Sequence, residues 1–338
     1  MGDCLQVIGE IERCQTLSRE YLCLLNPELS PFSTGLGGQK QLIASLAKLA
    51  NFREKLAKNF LKNLPYPEAD ILSGIVLGSK QDLGPDLYSD LKSTGTLHVV
   101  VASGYNLTVI GRQPVEVFAH LLGRKTALFL GLGLVWGYAG MVGLEAPIVR
   151  AAIMLSFLFL AQLLGRKFDQ YRAVVGAVWL MLMVKPDLVI SVSFQLSIAA
   201  LLGLMFGGRL FTRVARIPWI GGSLAETLSA QLMVFPIIAY HFGTISWLSP
   251  LVNVLILPIV PLIMGVGLLG LLLSWVPGVG KLIIWASFPF LAWMVRVIDF
   301  FARLPGIELP LSFGLWQVVF AYLLIFYLLI RKKNGKSS

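Results

Sequence analysis

The chain has 338 residues, of which 56% are hydrophobic and only 14% are charged, and its formal net charge is +10. Soluble domains carry roughly 25% charged and 45–50% apolar residues, so these proportions exclude an ordinary soluble enzyme, a disordered tail and a disulfide-bonded scaffold. They indicate an all-α polytopic membrane protein.

The charges divide the chain near residue 93. Residues 1–93 hold 10 basic and 11 acidic side chains, whereas residues 94–338 hold 18 basic and 7 acidic ones and are the most apolar part. This contrast predicts a water-facing segment followed by a basic membrane segment. We divide the chain into an N-terminal segment (1–39), an amphipathic helical region (40–93), a transmembrane domain (94–330) and a basic tail (331–338).

Three cysteines, Cys4, Cys14 and Cys23, lie in the N-terminal segment. Their number is odd and no CxxC pair occurs, so the sequence does not predict a metal site there. One disulfide is possible if the segment lies outside the cell.

An apolar stripe runs through residues 40–64, with a residue every three or four positions, at Leu42, Leu46, Leu49, Phe52, Leu56, Phe60 and Leu64. This spacing predicts an amphipathic helix. Such a helix lies along a membrane surface or braces the bundle, and a solvated helix on a small soluble domain fits the same pattern.

Long uncharged runs fill the transmembrane domain. A spanning helix needs about 20 predominantly apolar residues, and the runs supply about eight or nine crossings, with broken or re-entrant segments among them. They are residues 94–111, 126–144, 151–165, 173–184, 188–208, 227–280 (long enough for two crossings), 282–295 and 309–330.

The loops between these runs alternate in charge. Basic clusters occur around Arg124, Arg166, Arg213, Lys281 and Arg331, and the intervening loops lack them. Because cytoplasmic loops carry an excess of Lys and Arg, the pattern predicts a multi-pass protein of the inner (cytoplasmic) membrane with a cytoplasmic C-terminus. The first 93 residues then lie outside the cell if residues 94–111 cross fully, and inside it if they are re-entrant.

The sequence offers little for metal or nucleotide chemistry. Its three histidines, His98, His120 and His241, are far apart in sequence and show no metal-ligand spacing. Residues 123–126 (GRKT) lack the upstream glycine of a phosphate loop. We therefore predict no catalysis, no metal and no other cofactor.

Polar side chains inside apolar runs are the candidate functional groups, because each must find a partner or line water at membrane depth. The first set lies at residues 94–106, where His98, Ser103 and Asn106 converge on one polar spot if the backbone bends at Gly104. Hydrogen bonding to neighbouring helices is the alternative interpretation.

Two further groups lie in the next predicted helices. Arg150 follows a helix start, where its charge and the free N–H groups both attract phosphate. In an unwound segment, four polar residues would all face one way and line a pore, namely Ser191, Ser193, Gln195 and Ser197.

The last group surrounds the prolines of residues 227–280. Gln231 and His241 flank Pro236, which we expect to break their helix, and Asn253 lies between two further prolines. Broken helices at membrane depth are tolerated where they face protein or water, so these residues either line a pore or join helices.

Several short motifs between residues 68 and 275 occur in the same order as in one known protein family. They are residues 71–78 (ILSGIVLG), 94–95 (TG), His98, 103–104 (SG), 147–152 (PIVRAA), 185–187 (KPD), 193–197 (SFQLS), Gln231, Pro236, 240–243 (YHFG), 249–253 (SPLVN) and Pro258. In these positions the chain resembles the ComEC family of competence proteins.

The resemblance implies an inner-membrane channel that passes single-stranded DNA into the cytoplasm during natural transformation. The implied partners are the DNA strand, membrane lipid, a separate nuclease, a DNA-receptor protein and a cytoplasmic translocase. Most members have a second histidine where Asn106 stands, which weakens a proton or metal role there. Residues 1–10 resemble the end of an OB-fold, and the chain is expected to lack the metallo-β-lactamase-like domain of fuller members.

Other function classes fit the same residues. A small-solute or ion transporter needs a charged coupling group at mid-membrane, and Arg296 with Asp299 is the candidate pair. We expect those two to form an internal ion pair. A non-conducting scaffold for DNA-processing partners is the second alternative, and a membrane enzyme using His98 and Ser103 lacks a nearby carboxylate.

Overall fold

The structure is a computed structural model, and it describes residues 5–16, 19–31, 51–79, 83–101, 103–217, 221–276 and 278–334. The chain forms two compact units, Met1–Lys48 and Leu49–Ser338. All the candidate polar residues, from His98 to Asn253, lie in the second unit.

The described part of the first unit is a β-hairpin. Strands β1 (Leu5–Thr16) and β2 (Arg19–Pro31) pair antiparallel, with an irregularity between Ile8 and Glu10. The hairpin agrees with the β structure that the predicted end of an OB-fold implies for this segment. Two strands do not define an OB-fold, so that part of the resemblance stays a prediction.

The hairpin register bears on the cysteines. It places Cys14 opposite Tyr21 and Cys23 opposite Glu12, so these two cysteines are not cross-strand partners. Cys4 lies outside the described residues. The disulfide therefore stays a prediction.

The second unit is built almost entirely from helices. In chain order they are α1 (51–63), α2 (Glu68–Leu77), α3 (Pro85–Ser93), α4 (Leu97–Val100), α5 (Gly104–Leu122), α6 (Arg124–Val142), α7 (Ala146–Leu163), α8 (Gln170–Val184), α9 (Val192–Phe206), α10 (Gly221–Phe242), α11 (Ser249–Ile256), α12 (Val260–Leu272), α13 (Val279–Ala286), α14 (Phe288–Ala302) and α15 (Leu315–Asn334). Short 3-10 turns lie between some of them, at Pro186–Ile190, Gly207–Arg209, Val214–Arg216 and Leu257–Ile259.

Helix α2 lies inside the core. All ten of its residues are buried, and it contacts α4, α12 and α14. A helix without a solvent-facing side is expected to be apolar all round, and only Glu68, Asp70 and Ser73 depart from this. The segment that precedes the predicted transmembrane domain therefore shares one core with it.

The apolar stripe of residues 40–64 is described from residue 51 onwards. Ala57, Phe60 and Leu64 are buried in the core that also contains α2. The Arg53 guanidinium donates a hydrogen bond to the main-chain oxygen of Val142, at the end of α6 (3.2 Å). The described part of the helix therefore braces the bundle, which is one of the three interpretations of the stripe.

Among the described residues, five helical segments are long and apolar enough to cross a membrane. They are α6, α7, α10, the segment Ser249–Leu272 and the segment Val279–Ala302. Shorter apolar helices add to them at α8, α9 and Leu315–Arg331. The chain is thus an all-α membrane protein in its second unit, and the count of eight or nine crossings stays a prediction.

Two short strands join separate loops of the bundle. Strand β3 (Thr244–Ser246) follows α10 and strand β4 (Glu308–Pro310) precedes α15, and they pair antiparallel with Ile245 opposite Leu309. Both loops lack the basic clusters that mark cytoplasmic loops. The pairing brings them to the same end of the bundle, as the charge alternation predicts.

The predicted helix break at Pro236 is wrong, and the condition for a polar face around Ser193, an unwound segment, is not met. Helix α10 runs through Pro236 without interruption, and α9 is a regular helix that contains Ser193, Gln195 and Ser197. In an apolar environment the backbone satisfies its hydrogen bonds within the segment, so a helix is favoured over an unwound stretch, and a proline is tolerated inside it. Ser193 and Ser197 therefore lie on one face of α9 and Gln195 lies on another.

The predicted ion pair between Arg296 and Asp299 is also wrong. The carboxylate of Asp299 accepts from Arg303, with N–O distances of 2.8 Å. An acidic residue four positions before an arginine at a helix C-terminus is favoured both by the pair and by the helix dipole.

Candidate functional site

Residues 94–104 form a turn, a short helix and a second break. Gly95 adopts a left-handed φ of 70° after α3, and α4 then lasts for a single turn. The Ser103 hydroxyl caps α5 by accepting a hydrogen bond from the N–H of Asn106 (3.4 Å). The bend thus precedes Gly104, and residues 94–111 are not a single helical crossing.

Asn106 and Tyr138 satisfy the carboxyl end of α2. The Asn106 side-chain amide donates to the main-chain oxygen of Ile75 (2.9 Å), and the Tyr138 hydroxyl donates to that of Val76 (3.0 Å). Both carbonyls belong to the last turn of a buried helix, where no intrahelical donor exists. Asn106 is therefore a structural partner of α2, whatever else it contacts.

The structure brings Ser103 and Asn106 together. The Ser103 hydroxyl donates to the Asn106 side-chain oxygen at 3.0 Å. His98 does not join this contact. Its Nδ1 lies 3.0 Å from the main-chain oxygen of Gly95, and the residue is exposed.

The hydroxyl of Ser249 joins three separate segments, which we call the Ser249 junction (Gly95, Gln231, Ser249 and Asn253). It accepts from the side-chain amides of Gln231 (2.8 Å) and Asn253 (3.2 Å) and donates to the Gly95 oxygen (3.4 Å). His98 shares that same oxygen. The junction ties the turn before α4 to α10 and α11.

The Ser249 junction is tightly packed and incompletely satisfied. A Cβ atom on Gly95 would lie 2.7 Å from the Ser249 hydroxyl oxygen, so only glycine fits there. The Asn253 side-chain oxygen and the nearby hydroxyl of Ser246 are buried without a hydrogen-bond partner. Buried polar atoms are normally paired, so such exceptions mark places where a water, ion or ligand is accommodated.

Arg150 sits between α5, α7 and α9, at a site that we call the Arg150 notch (Gly104, Arg150 and Ser197). Its guanidinium donates to the main-chain oxygen of Ser197 on α9. A Cβ atom on Gly104 would lie 3.2 Å from the guanidinium and 3.1 Å from Ala151. The absence of a side chain at residue 104 therefore lets α7 and its arginine approach α5.

Two polar atoms of the Arg150 notch have no hydrogen-bond partner. They are the Arg150 Nε and the Ser197 hydroxyl oxygen, and both are buried. Within the described ranges, no carboxylate forms a salt bridge with this guanidinium. The notch therefore places an unpaired N–H and a hydroxyl beside a positive charge, and such groups can hydrogen-bond an anion.

A further contact links the start of α9 to the end of α10. The His241 Nε2 lies 3.3 Å from the Gln195 side-chain oxygen, and the Gln195 amide donates to the main-chain oxygen of Val189 (2.9 Å). Gln195 and Ser197 lie two positions apart on α9, and Gln231 shares α10 with His241. Besides the Ser103–Asn106 contact, the predicted residues thus form three local groups that these two helices connect.

Comparison with known proteins identifies the family. The family model described as "Competence protein" matches residues 75–334, which is most of the chain and contains all three groups. The chain belongs to the competence protein family. The predicted resemblance is confirmed, and no solved structure matches the chain.

The relatives of this competence protein are distant and longer. It is 23% identical to "ComE operon protein 3" of Bacillus subtilis over 212 residues, which cover 62% of this chain and 27% of that protein. It is 24% identical to "Competence protein ComA" of Neisseria gonorrhoeae over 312 residues, which cover 82% of this chain and 43% of that protein. The chain thus spans less than half the length of these two relatives.

Sequence patterns missed two residues of this competence protein's site. Ser249 lies in a matched motif (residues 249–253), but nothing in the local pattern shows that it accepts from two amides. No sequence pattern marks Tyr138 as a hydrogen-bond donor, because its partner Val76 is 62 residues away. Unpaired donors on α7 and α9 are likewise visible only when the helices are assembled.

Proposed function

We propose that this chain forms the membrane-embedded path through which single-stranded DNA enters the cytoplasm in natural transformation. The proposal rests on membership of the competence protein family and on the Arg150 notch. We place the chain in the inner membrane with its C-terminus in the cytoplasm, from the alternation of loop charges.

The Arg150 notch is the observation that carries the proposal. A DNA strand has one negative charge per nucleotide and needs cationic or hydrogen-bonding groups wherever it crosses hydrocarbon. The notch supplies a guanidinium with a free Nε and a free serine hydroxyl, between three helices of the family-matched region. A phosphate oxygen can accept from both groups.

The other two groups extend this path. The Ser249 junction and the His241–Gln195 contact are polar places on α9, α10 and α11, and each presents amide or imidazole groups that hydrogen-bond phosphates or base edges. We propose that a strand passes the polar residues of these helices in turn. A nuclease, a DNA receptor and a cytoplasmic translocase would act with the chain as separate partners.

Gene deletion with complementation tests the proposal. In a transformable host, surface-bound and cytoplasmic DNA are scored separately, with labelled donor DNA. We expect normal surface binding and loss of cytoplasmic entry in the deletion strain, restored by the complete gene. Normal cytoplasmic entry would overturn the channel, and loss of surface binding alone would favour a receptor scaffold.

Arg150 gives the residue-level version of this test. A hydrogen bond to a charged group contributes about 1.5–3 kcal/mol, so Arg150→Gln is expected to lower DNA entry roughly 10–100-fold, with Arg150→Lys intermediate. Arg166→Gln, in an exposed turn after α7, is the matched control and should leave entry unchanged at equal protein level. Equal entry in all three variants would remove Arg150 from the path.

A further inference from the structure

Helix α15 is attached to α10 by two hydrogen bonds. The main-chain N–H of Phe313, just before the helix, donates to Ala239 of α10 (3.1 Å), and the Tyr322 hydroxyl donates to Met233 of α10 (2.8 Å). Helix α15 also contacts the 3-10 turn at the end of α9. These attachments fix it against α10 and leave a gap towards α9.

The gap is an apolar groove of ≈ 780 Å³, which we call the α15 groove. Val318, Leu323 and Leu329 line it from α15, and Phe194, Ile198 and Leu202 line it from α9. Its two polar side chains, Gln195 and Tyr322, already make hydrogen bonds elsewhere. The groove therefore offers carbon surface without free polar groups, which suits a hydrocarbon chain and not water.

The groove has the length of one membrane leaflet. From Val318 to Leu329 it extends about 16 Å along α15 at the rise of an α-helix. The hydrocarbon core of a bilayer is about 30 Å thick, so one leaflet accounts for about half of it. The volume lies within the range of roughly 300–1,000 Å³ that is typical of ligand sites.

One end of the α15 groove is basic. Arg331 follows Leu329 by two positions on the same helix, and its side chain is exposed. The turn that contacts α15 leads into a loop with exposed Arg213 and Arg216 and with no acidic residue in residues 207–217. Basic groups at the surface end of an interhelical groove are the arrangement that holds anionic lipid headgroups.

We propose that the α15 groove binds an anionic phospholipid, with one acyl chain between α9 and α15 and the headgroup phosphate at Arg331, Arg213 and Arg216. The lipid completes the contact between α15 and α9 that protein side chains leave open. This site makes no use of the Arg150 notch, and it shares Gln195 with the proposed DNA path.

Matched tryptophan variants test the acyl-chain part. Both Leu323 and Leu324 are exposed on α15, but only Leu323 lines the groove. The full chain is purified in detergent with added phosphatidylglycerol, and retained lipid is counted by native mass spectrometry. We expect Leu323→Trp to lose the retained lipid and Leu324→Trp to keep it, with similar folding yields for both.

Charge variants test the headgroup part. A basic residue near an anionic surface contributes about 1 kcal/mol, so Arg331→Gln is expected to weaken phosphatidylglycerol retention about fivefold relative to the parent chain. Lys281→Gln, at the start of α13, is the control and should have no effect.

Three results would overturn the lipid site. They are equal retention of phosphatidylglycerol by the two tryptophan variants, retention of phosphatidylcholine as strong as that of phosphatidylglycerol, and a lipid-free dimer that Leu323→Trp dissociates. The last result would show that a second copy of the chain covers the groove. DNA entry is not the readout, so failure of the DNA path would leave these outcomes unchanged.

Discussion

Asn106 donates its side-chain amide to the main-chain oxygen of Ile75, across 31 residues of sequence and at 2.9 Å. This bond fixes the start of α5 to the end of the buried helix α2. It gives a structural reason for a polar residue at this position, beside any contact with DNA.

Replacement of Asn106 tests the structural bond. Asn106→Ala leaves the Ile75 oxygen buried without its donor, which is expected to lower the free energy of unfolding by about 1–2 kcal/mol. Thr108→Ala is the control, because its hydroxyl only bonds back to Gly104 within the same helix. Thermal unfolding in detergent measures both, and equal midpoints would contradict the role of Asn106.

Gly95 and Gly165 separate backbone strain from packing. Both have positive φ, 70° and 64°, so alanine costs each of them about 1–2 kcal/mol of strain. A Cβ on Gly95 would meet Ser249 at 2.7 Å, whereas one on Gly165 would meet nothing within 4 Å. We therefore expect Gly95→Ala to lower the unfolding midpoint clearly more than Gly165→Ala does. Equal losses would show that the Ser249 junction yields to an added methyl group.

Ser249 and Ser246 provide the next comparison. Ser249→Ala removes the acceptor of the Gln231 and Asn253 amides, and each orphaned donor is expected to cost about 1 kcal/mol. The hydroxyl oxygen of Ser246 has no partner, so Ser246→Ala is expected to be neutral or slightly stabilising. Equal unfolding temperatures for the two variants would contradict the role of Ser249 as an acceptor of both amides.

Asp90 makes stability depend on pH. It lies in α3, outside the spanning helices, and burial raises its pKa, as do the nearby charges of Asp299 and Asp86, while Arg303 lowers it. A raised folded-state pKa means that its contribution to stability is full below the unfolded pKa and is lost as the pH rises through the folded one.

The variant Asp90→Asn removes the loss of stability that accompanies ionisation of Asp90. It is expected to raise the unfolding midpoint at neutral pH and to have much less effect below the unfolded pKa of about 3.9. Asp187→Asn changes an exposed carboxylate and should leave the midpoint nearly unchanged at both pH values. A lower midpoint for Asp90→Asn at neutral pH would contradict the sign of the shift.

The sequence predicted the membrane class and the helical bundle well, because apolar runs and loop charges are local signals. The pairing of Ile245 with Leu309 agrees with the alternation of basic loops. The contact between Ser103 and Asn106 was also foreseeable, since the two residues lie on either side of a helix start.

Long-range partners were not predictable in this way. Asp299 pairs with Arg303 and not with Arg296, although all three lie on one helix or at its end. The predicted break at Pro236 is wrong because local propensity ignores the cost of unpaired backbone groups in lipid. The unpaired Nε of Arg150 arises only where α5, α7 and α9 meet.

Crosslinking to a DNA strand in transit tests the proposed path most directly. In a chain whose three native cysteines are replaced by serine, a new cysteine is placed by Ser197→Cys at the Arg150 notch, or by Leu324→Cys at an exposed position on α15. Donor DNA that carries thiol-reactive groups on its phosphates and a bulky end that stalls entry is then offered to competent cells. We predict that DNA crosslinks to residue 197 and not to residue 324. Equal crosslinking at both positions, or none at residue 197 while that variant still transforms normally, would contradict a DNA path past Arg150.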